Sequence, residues 1–92
     1  MAKVKISKVA KALADETRCK IFELIAKSKE ISCKEITEKV GLKQPTISHH
    51  LKTLQESGIV NVRKEGQYHY FSVNERALEE FSNYITKFIS KR

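Results

Sequence analysis

Residues 41–60 read GLKQPTISHHLKTLQESGIV, and the spacing of their glycines, proline and apolar residues decides the fold. Gly41 ends the helix before it, because glycine takes a left-handed backbone at little cost. Pro45 suits the first turn of a new helix, where its missing N–H would be unpaired anyway. Ile47, Leu51 and Leu54 then recur at helical spacing, and Gly58 is the next stop. The stretch predicts a three-residue turn followed by a helix from residue 44 to about residue 56. At about 100° per residue, His49, Lys52 and Thr46 fall opposite the apolar stripe, with Ser48 and Gln44 nearer the margin. His50 lies roughly 50° from the centre of the stripe and is expected to pack at the edge of the core.

Three helices are expected upstream. Ile6, Val9, Ala10 and Leu13 form one face of a first helix, residues 4–13. Asp15 can cap a second, with Cys19, Phe22, Ile25 and Ala26 as its buried stripe to about residue 27. Ser32 to Glu35 has the S-x-x-E form of a capping box, which opens a short third helix ending at Gly41. Downstream the period changes. IVNVRKEGQYHYFSV is rich in β-branched and aromatic residues around Lys64-Glu65-Gly66-Gln67, which predicts a hairpin of strands 59–63 and 68–73. Asn74 can cap a last helix, in which Leu78, Phe81, Ile85 and Phe88 repeat in 3-4-3 steps, the seam pattern of helix pairing. The fold class is mainly α with a small β-hairpin, in the order α-α-α-α-β-β-α, and residues 1–92 form one domain.

Two helices joined by a glycine-led turn are a helix-turn-helix candidate, and the hairpin that follows makes the arrangement a winged helix. In such folds the second helix enters the major groove of DNA. Gln44, Thr46, Ser48, His49 and Lys52 are therefore the candidate DNA-reading set. Gln pairs with adenine, Ser and Thr serve bases or phosphates, and Lys suits phosphate or guanine. Arg63 and Lys64 in the wing would face phosphate or the minor groove, with Glu65 opposing them. The bland alternative is an ordinary polar helix face and a solvated turn.

Other chemistries fit less well. Adjacent helical residues do not face one another, so His49 and His50 make a poor chelate, and the remaining histidine, His69, sits in the hairpin. No Ser-His-Asp or Cys-His arrangement is evident, so no catalytic residue, metal site or cofactor is assigned. The chain carries a net charge of +7, which suggests a polyanionic partner. Four lysines and no acid stand in residues 1–13, whereas residues 14–40 balance six bases with six acids. No apolar run approaches the roughly 20 residues that span a bilayer, and no signal peptide is read, so a cytoplasmic location is expected. Cys19 and Cys33 are then expected as free thiols, Cys19 as a small core residue.

ALADETRCKIFELI, GLKQPTISHHLKTLQESGIV and RKEGQYHYFSV together resemble the ArsR/SmtB family of bacterial and archaeal repressors, over residues 9–90. The resemblance implies a homodimeric winged helix that binds operator DNA and releases it when a metal or other inducer binds. It implies Gln44, Ser48 and His49 as reading positions. Lys43 departs from the family pattern, which often has a capping serine there. The family's thiolate box on the third helix has the form ELCVCDL, but here the stretch is EISCKEI, Glu30 to Ile36. Ser32 and Lys34 replace its two cysteines, so the soft-metal pair is gone. The last helix has no histidine or cysteine, so the family's other familiar metal site is missing too.

The reading is a homodimeric transcriptional regulator, expected to repress, with a near-palindromic double-stranded DNA operator as its partner. Ile6 and Val9 of the first helix and Leu78, Phe81, Ile85 and Phe88 of the last form the expected dimer interface. No membrane partner is expected, and the inducer is not identified by the sequence. Two alternatives stay open. One is a winged-helix protein-interaction module that never binds DNA. The other is a thiol-based redox-responsive repressor using Cys33, which lies in the first turn of its helix, where the dipole generally favours a thiolate.

Overall fold

The computed structural model describes residues 4–90, so Lys3, Lys91 and Arg92 lie outside the described residues. The elements are α1 (Ile6–Leu13), α2 (Glu16–Lys27), β1 (Ile31–Ser32), α3 (Cys33–Val40), α4 (Gln44–Ser57), β2 (Val60–Glu65), β3 (Tyr68–Val73) and α5 (Glu75–Ser90). The expected helix boundaries hold to within two residues, apart from the C-terminal limit of the last helix, which the sequence did not define.

The punctuation works as local chemistry dictates. Asp15 accepts a hydrogen bond from the Arg18 backbone N–H at 2.9 Å and caps α2. Ser32 and Glu35 form a full capping box at the start of α3. Gly41 and Gly58 end α3 and α4 with φ of 79° and 93°, a region that penalises any side chain. Lys43 precedes α4 without a side-chain cap, as the substitution of a capping residue implies. Asn74 caps α5 through the Ala77 N–H at 3.2 Å, while its own amide donates to the Gly58 carbonyl at 3.0 Å. That one side chain ties the end of α4 to the start of α5.

The sheet holds one strand more than the sequence suggests. β1 pairs antiparallel with β3, Ile31 opposite Phe71 and Ser32 opposite Tyr70, and β2 pairs with the other side of β3. Two residues are too few to show a period, and Ser32 reads as a cap because it is one. Lys64 and Glu65 also belong to β2 rather than to the turn. Only Gly66 and Gln67 connect the strands, and Gly66 has the positive φ, 61°, expected at the first central position of a two-residue hairpin turn.

One core joins all layers. Val9, Ala12, Ile21, Ile25, Ile36, Ile47, Leu51, Leu54, Ile59 and Phe71 are all buried in it. Three assignments need correction. In α1, Ala12 is buried and Ala10 exposed, because the helix turns its Val9–Ala12 edge toward α2 and α4. In α2, Ile21 and Ile25 make the buried stripe, while Phe22 and Cys19 are half-buried and Ala26 is exposed. Cys19 is therefore not a core residue. Ile25 is common to the expected and the observed stripe, and Ile21, one turn before it, completes the buried pair.

Ile21→Ala should destabilise the fold by about 3 kcal/mol, the usual cost of emptying a fully buried isoleucine site. Ala26→Gln should stay within about 0.5 kcal/mol of the parent, as an exposed helical change. Urea unfolding at one protein concentration compares the two, and equal losses would refute the corrected stripe.

Candidate nucleic-acid interface

Burial fixes which side of α4 meets solvent. Ile47, Leu51 and Leu54 are at most 2% exposed. Gln44, Thr46, Ser48, His49 and Lys52 are all exposed on the remaining surface of the same helix. Gln44 and Ser48 also line a groove of about 650 Å³ between the starts of α3 and α4 and the hairpin, shared with Cys33, Thr37, Gln67 and His69. A smaller cleft of about 200 Å³ continues it past Ser48, Lys52 and Gln55, again with Cys33 and His69. The structure thus brings Gln44, Ser48, Lys52 and Cys33 together around one channel. His69, which pattern reading left as an unassigned hairpin histidine, joins them from β3. The strand pleat is the signal that could have placed it, because β3 buries Phe71, two residues on.

The wing charges are arranged differently from expectation. Arg63 does not project freely. Its Nε and Nη2 donate to the two carboxylate oxygens of Glu30 at 2.9 and 2.8 Å, and its Nη1 donates to Glu65 at 2.9 Å. Its guanidinium also lies 4.7 Å from the centre of the Tyr70 ring. The hydrogen bonds from Arg63 hold the Glu30 carboxyl below its ordinary range, and the same bonds raise the Arg63 guanidinium above its own. A two-pronged guanidinium–carboxylate pair is the geometry that commits arginine most firmly. Glu30, 33 residues away in sequence, was not foreseen. Lys64 is exposed and stands opposite His69 across the hairpin.

His50 is half-buried, and its Nδ1 lies 3.2 Å from Nη1 of Arg18. Arg18 also donates to the carbonyls of Ala12 at 2.6 Å and Lys11 at 3.2 Å. Sequence reading missed Arg18. The Asp15 carboxyl beneath it sits below its ordinary range, first because it accepts the Arg18 backbone N–H, with the Arg18 and His50 charges adding to the effect.

The expected dimer residues divide. Val9 is fully buried within its own domain and has no surface to offer, so it is a core residue. Ile6, Leu78 and Phe81 are half-buried. Ile85 and Phe88 are 45% and 55% exposed, and Tyr84 and Ile89 join them, a run of large apolar side chains on the outer half of α5. Both cysteines are half-buried and unpaired with each other. Among the described residues no group of three or more His, Cys, Asp or Glu could hold a metal ion, and no helix is long and apolar enough to cross a membrane.

Known proteins share this arrangement. Residues 13–63 match the helix-turn-helix domain family. The transcriptional repressor SdpR of Bacillus subtilis is 34% identical over 86 residues, 94% of each chain. The arsenical resistance operon repressor of Staphylococcus aureus is 31% identical, over 87% of this chain and 76% of its own. The solution structure of a homodimeric winged helix-turn-helix DNA-binding domain from Mycobacterium bovis, described as a possible ArsR-family regulator, superposes with a TM-score of 0.74. It is 28% identical, over 94% of this chain and 78% of that one. The chain belongs to the ArsR/SmtB family of winged helix-turn-helix transcriptional regulators.

Proposed function

We propose that the protein is a homodimeric, cytoplasmic repressor that reads near-palindromic operator DNA with α4 and braces on the DNA backbone with its hairpin. The observation that carries this reading is the division of α4. Its three core residues are buried, all five polar candidates are exposed, and Gln44, Ser48 and Lys52 among them line a channel walled by the wing. The naming of relatives as repressors supports the same direction of control. Gln44, Ser48 and His49 take the base edges, Thr46 serves a base or phosphate, and Lys52 neutralises a phosphate. Lys64 carries the wing's phosphate contact. Arg63, tied to Glu30 and Glu65, stiffens the wing instead.

The second copy covers α5. Four large apolar residues there are 40% to 63% exposed on one chain, an area that homodimer interfaces bury. The named homodimeric state of the mycobacterial neighbour supports this. Two-fold pairing sets the reading helices against half-sites about one DNA turn, or a multiple, apart. No metal at the family's two familiar positions serves as inducer. A thiol-based signal through Cys33 is a second reading, favoured by the place of that residue in the channel beside Ser48. Unchanged operator affinity after oxidation would dismiss it.

The test is fluorescence anisotropy on DNA upstream of the protein's own gene, at two salt concentrations with random competitor DNA. Saturable binding that survives competitor and weakens with salt is expected, whereas a protein-docking module would show neither. His49→Ala should lower specific affinity by about 1–3 kcal/mol and leave non-specific binding nearly unchanged. Lys52→Ala should weaken both and flatten the salt slope by about one unit. The double change Glu30→Gln/Glu65→Gln should do the opposite, steepening the slope by about 0.9 as Arg63 is freed toward phosphate. An unchanged slope would mean that Arg63 is not held off DNA by its carboxylates. Phe88→Glu should give a monomer by light scattering and abolish tight operator binding. A dimer of unaltered stability would remove α5 from the interface.

A further inference from the structure

We propose that Arg18 and His50 form a positioning pair that holds α4 in its reading orientation only while His50 is neutral, so that acidification releases DNA. The inference rests on the reading of α4 as the DNA-reading helix.

The geometry fixes the arginine first. Its backbone N–H is bound to Asp15, its Nε to the Ala12 carbonyl and its Nη2 to the Lys11 carbonyl. The last two acceptors belong to the final turn of α1, where carbonyls at the negative end of the helix dipole attract cations. A planar guanidinium held at two corners has no freedom to re-aim its third. That third corner, Nη1, meets His50 Nδ1 at 3.2 Å. One side chain thereby spans α1, α2 and α4, and it contacts α4 one residue from His49 and two from Ser48 and Lys52.

The chemistry then fixes the histidine. A guanidinium donates hydrogen bonds and accepts none. Nδ1 must be the acceptor, so the imidazole carries its proton on Nε2. A proton arriving at Nδ1 removes the lone pair that holds the bond and places two cations in contact. Imidazole is the side chain whose charge ordinarily changes between about pH 5 and 8. The surroundings pull both ways. The Asp15 carboxylate attracts a protonated His50. Arg18 repels it, and Lys8 and Lys11 of α1 line the adjoining cleft with Glu56 and Thr53 of α4. His49 is the remaining titratable neighbour, its ring centre 5.9 Å away. A protonated His50 therefore gives up Arg18, and α4 loses the polar anchor on its first half. The sign is definite: the affinity this pair supports is present while His50 is neutral and is lost as the pH falls through its titration.

This sign is opposite to the default. His69 lines the channel and His49 is exposed on α4, and protonating them adds positive charge where phosphate is expected. A protein without the Arg18–His50 pair would bind DNA more tightly in acid.

Two measurements test the proposal separately. The first uses the free full-length protein and long-range nitrogen–proton NMR of the imidazoles. His50 should be the Nε2–H tautomer near neutral pH, and the amide shifts of residues 44–56 should follow its titration. Finding the Nδ1–H tautomer, or amides in α4 that ignore the ring, would overturn the proposal whether or not DNA binds. The second measures operator affinity from about pH 7.5 to about pH 5.5. The parent should weaken about tenfold, the scale of one lost hydrogen bond to a charged group. His50→Gln keeps an acceptor that never titrates, so it should bind like the parent near neutrality and tighten in acid. His50→Leu, verified as folded by circular dichroism, should be weak throughout. Parallel pH profiles for the parent and His50→Gln would refute the pair. Failure of every variant to bind DNA at any pH would instead remove the reading of α4, with the NMR result still deciding the pair.

Discussion

Everything in this molecule that could meet DNA depends on the burial of Ile47, Leu51 and Leu54. These three side chains set the rotation of α4 about its own axis, and a rotation of one residue would turn His50 into the core and Leu51 toward solvent. The cost of exposing even one of them, about 1.5–3 kcal/mol, is at least that of a typical neutral hydrogen bond on the other face, about 0.5–1.5 kcal/mol. The reading face is therefore chosen by the core and not by its own chemistry. Ile21 and Ile25 from α2, Ile36 from α3 and Phe71 from β3 close over the same stripe, so every layer of the domain contributes to aiming α4.

The wing is aimed by polar contacts instead. β1 is only two residues long, yet it pins β3 to the start of α3 and brings Glu30 within reach of Arg63. The capping box at Ser32 and the pairing of Ser32 with Tyr70 use the same residue, so the start of α3 and the base of the wing cannot move independently. Because the Glu30–Arg63 pair is solvent-exposed, its role lies in geometry more than in stability. It removes a cation from the wing's outer face and leaves the channel beside α4 to Lys52, His69 and neutral donors.

Much of this was legible in the sequence wherever a local rule governs the outcome. Helix caps at Asp15 and Ser32, stops at Gly41 and Gly58, and the α4 stripe all follow from neighbours within four residues. The family motif around QPTISHHL added the fold. What could not be read depends on contacts between distant segments. The choice of Ile21 over Cys19 and Ala26, and of Ala12 over Ala10, is made by what packs opposite. Val9 satisfies an apolar pattern equally well as core or as interface, and only its complete burial separates the two. Glu30 stands 33 residues from Arg63, and Arg18 stands 32 from His50. A lone arginine or histidine in a sequence carries no mark of which carboxylate or guanidinium will meet it.

The charge distribution bears on how such a chain would separate affinity from specificity. The net charge is +7, but the proposed reading set, Gln44, Thr46, Ser48, His49 and Lys52, includes one permanent cation. Neutral side chains that hydrogen-bond base edges add little to non-specific attraction, whereas lysines add to it at every sequence. On the proposed reading, with Arg63 withdrawn into ion pairs, each protomer would meet DNA through few fixed charges, and intrinsic binding by one copy is expected to be weak. Two copies joined through α5, as proposed, would make the second contact intramolecular, which raises affinity without adding charge to either α4 face. The exposed apolar half of α5 and the nearly neutral face of α4 are then two parts of one arrangement. Pairing supplies the strength, and the polar face is left free to discriminate.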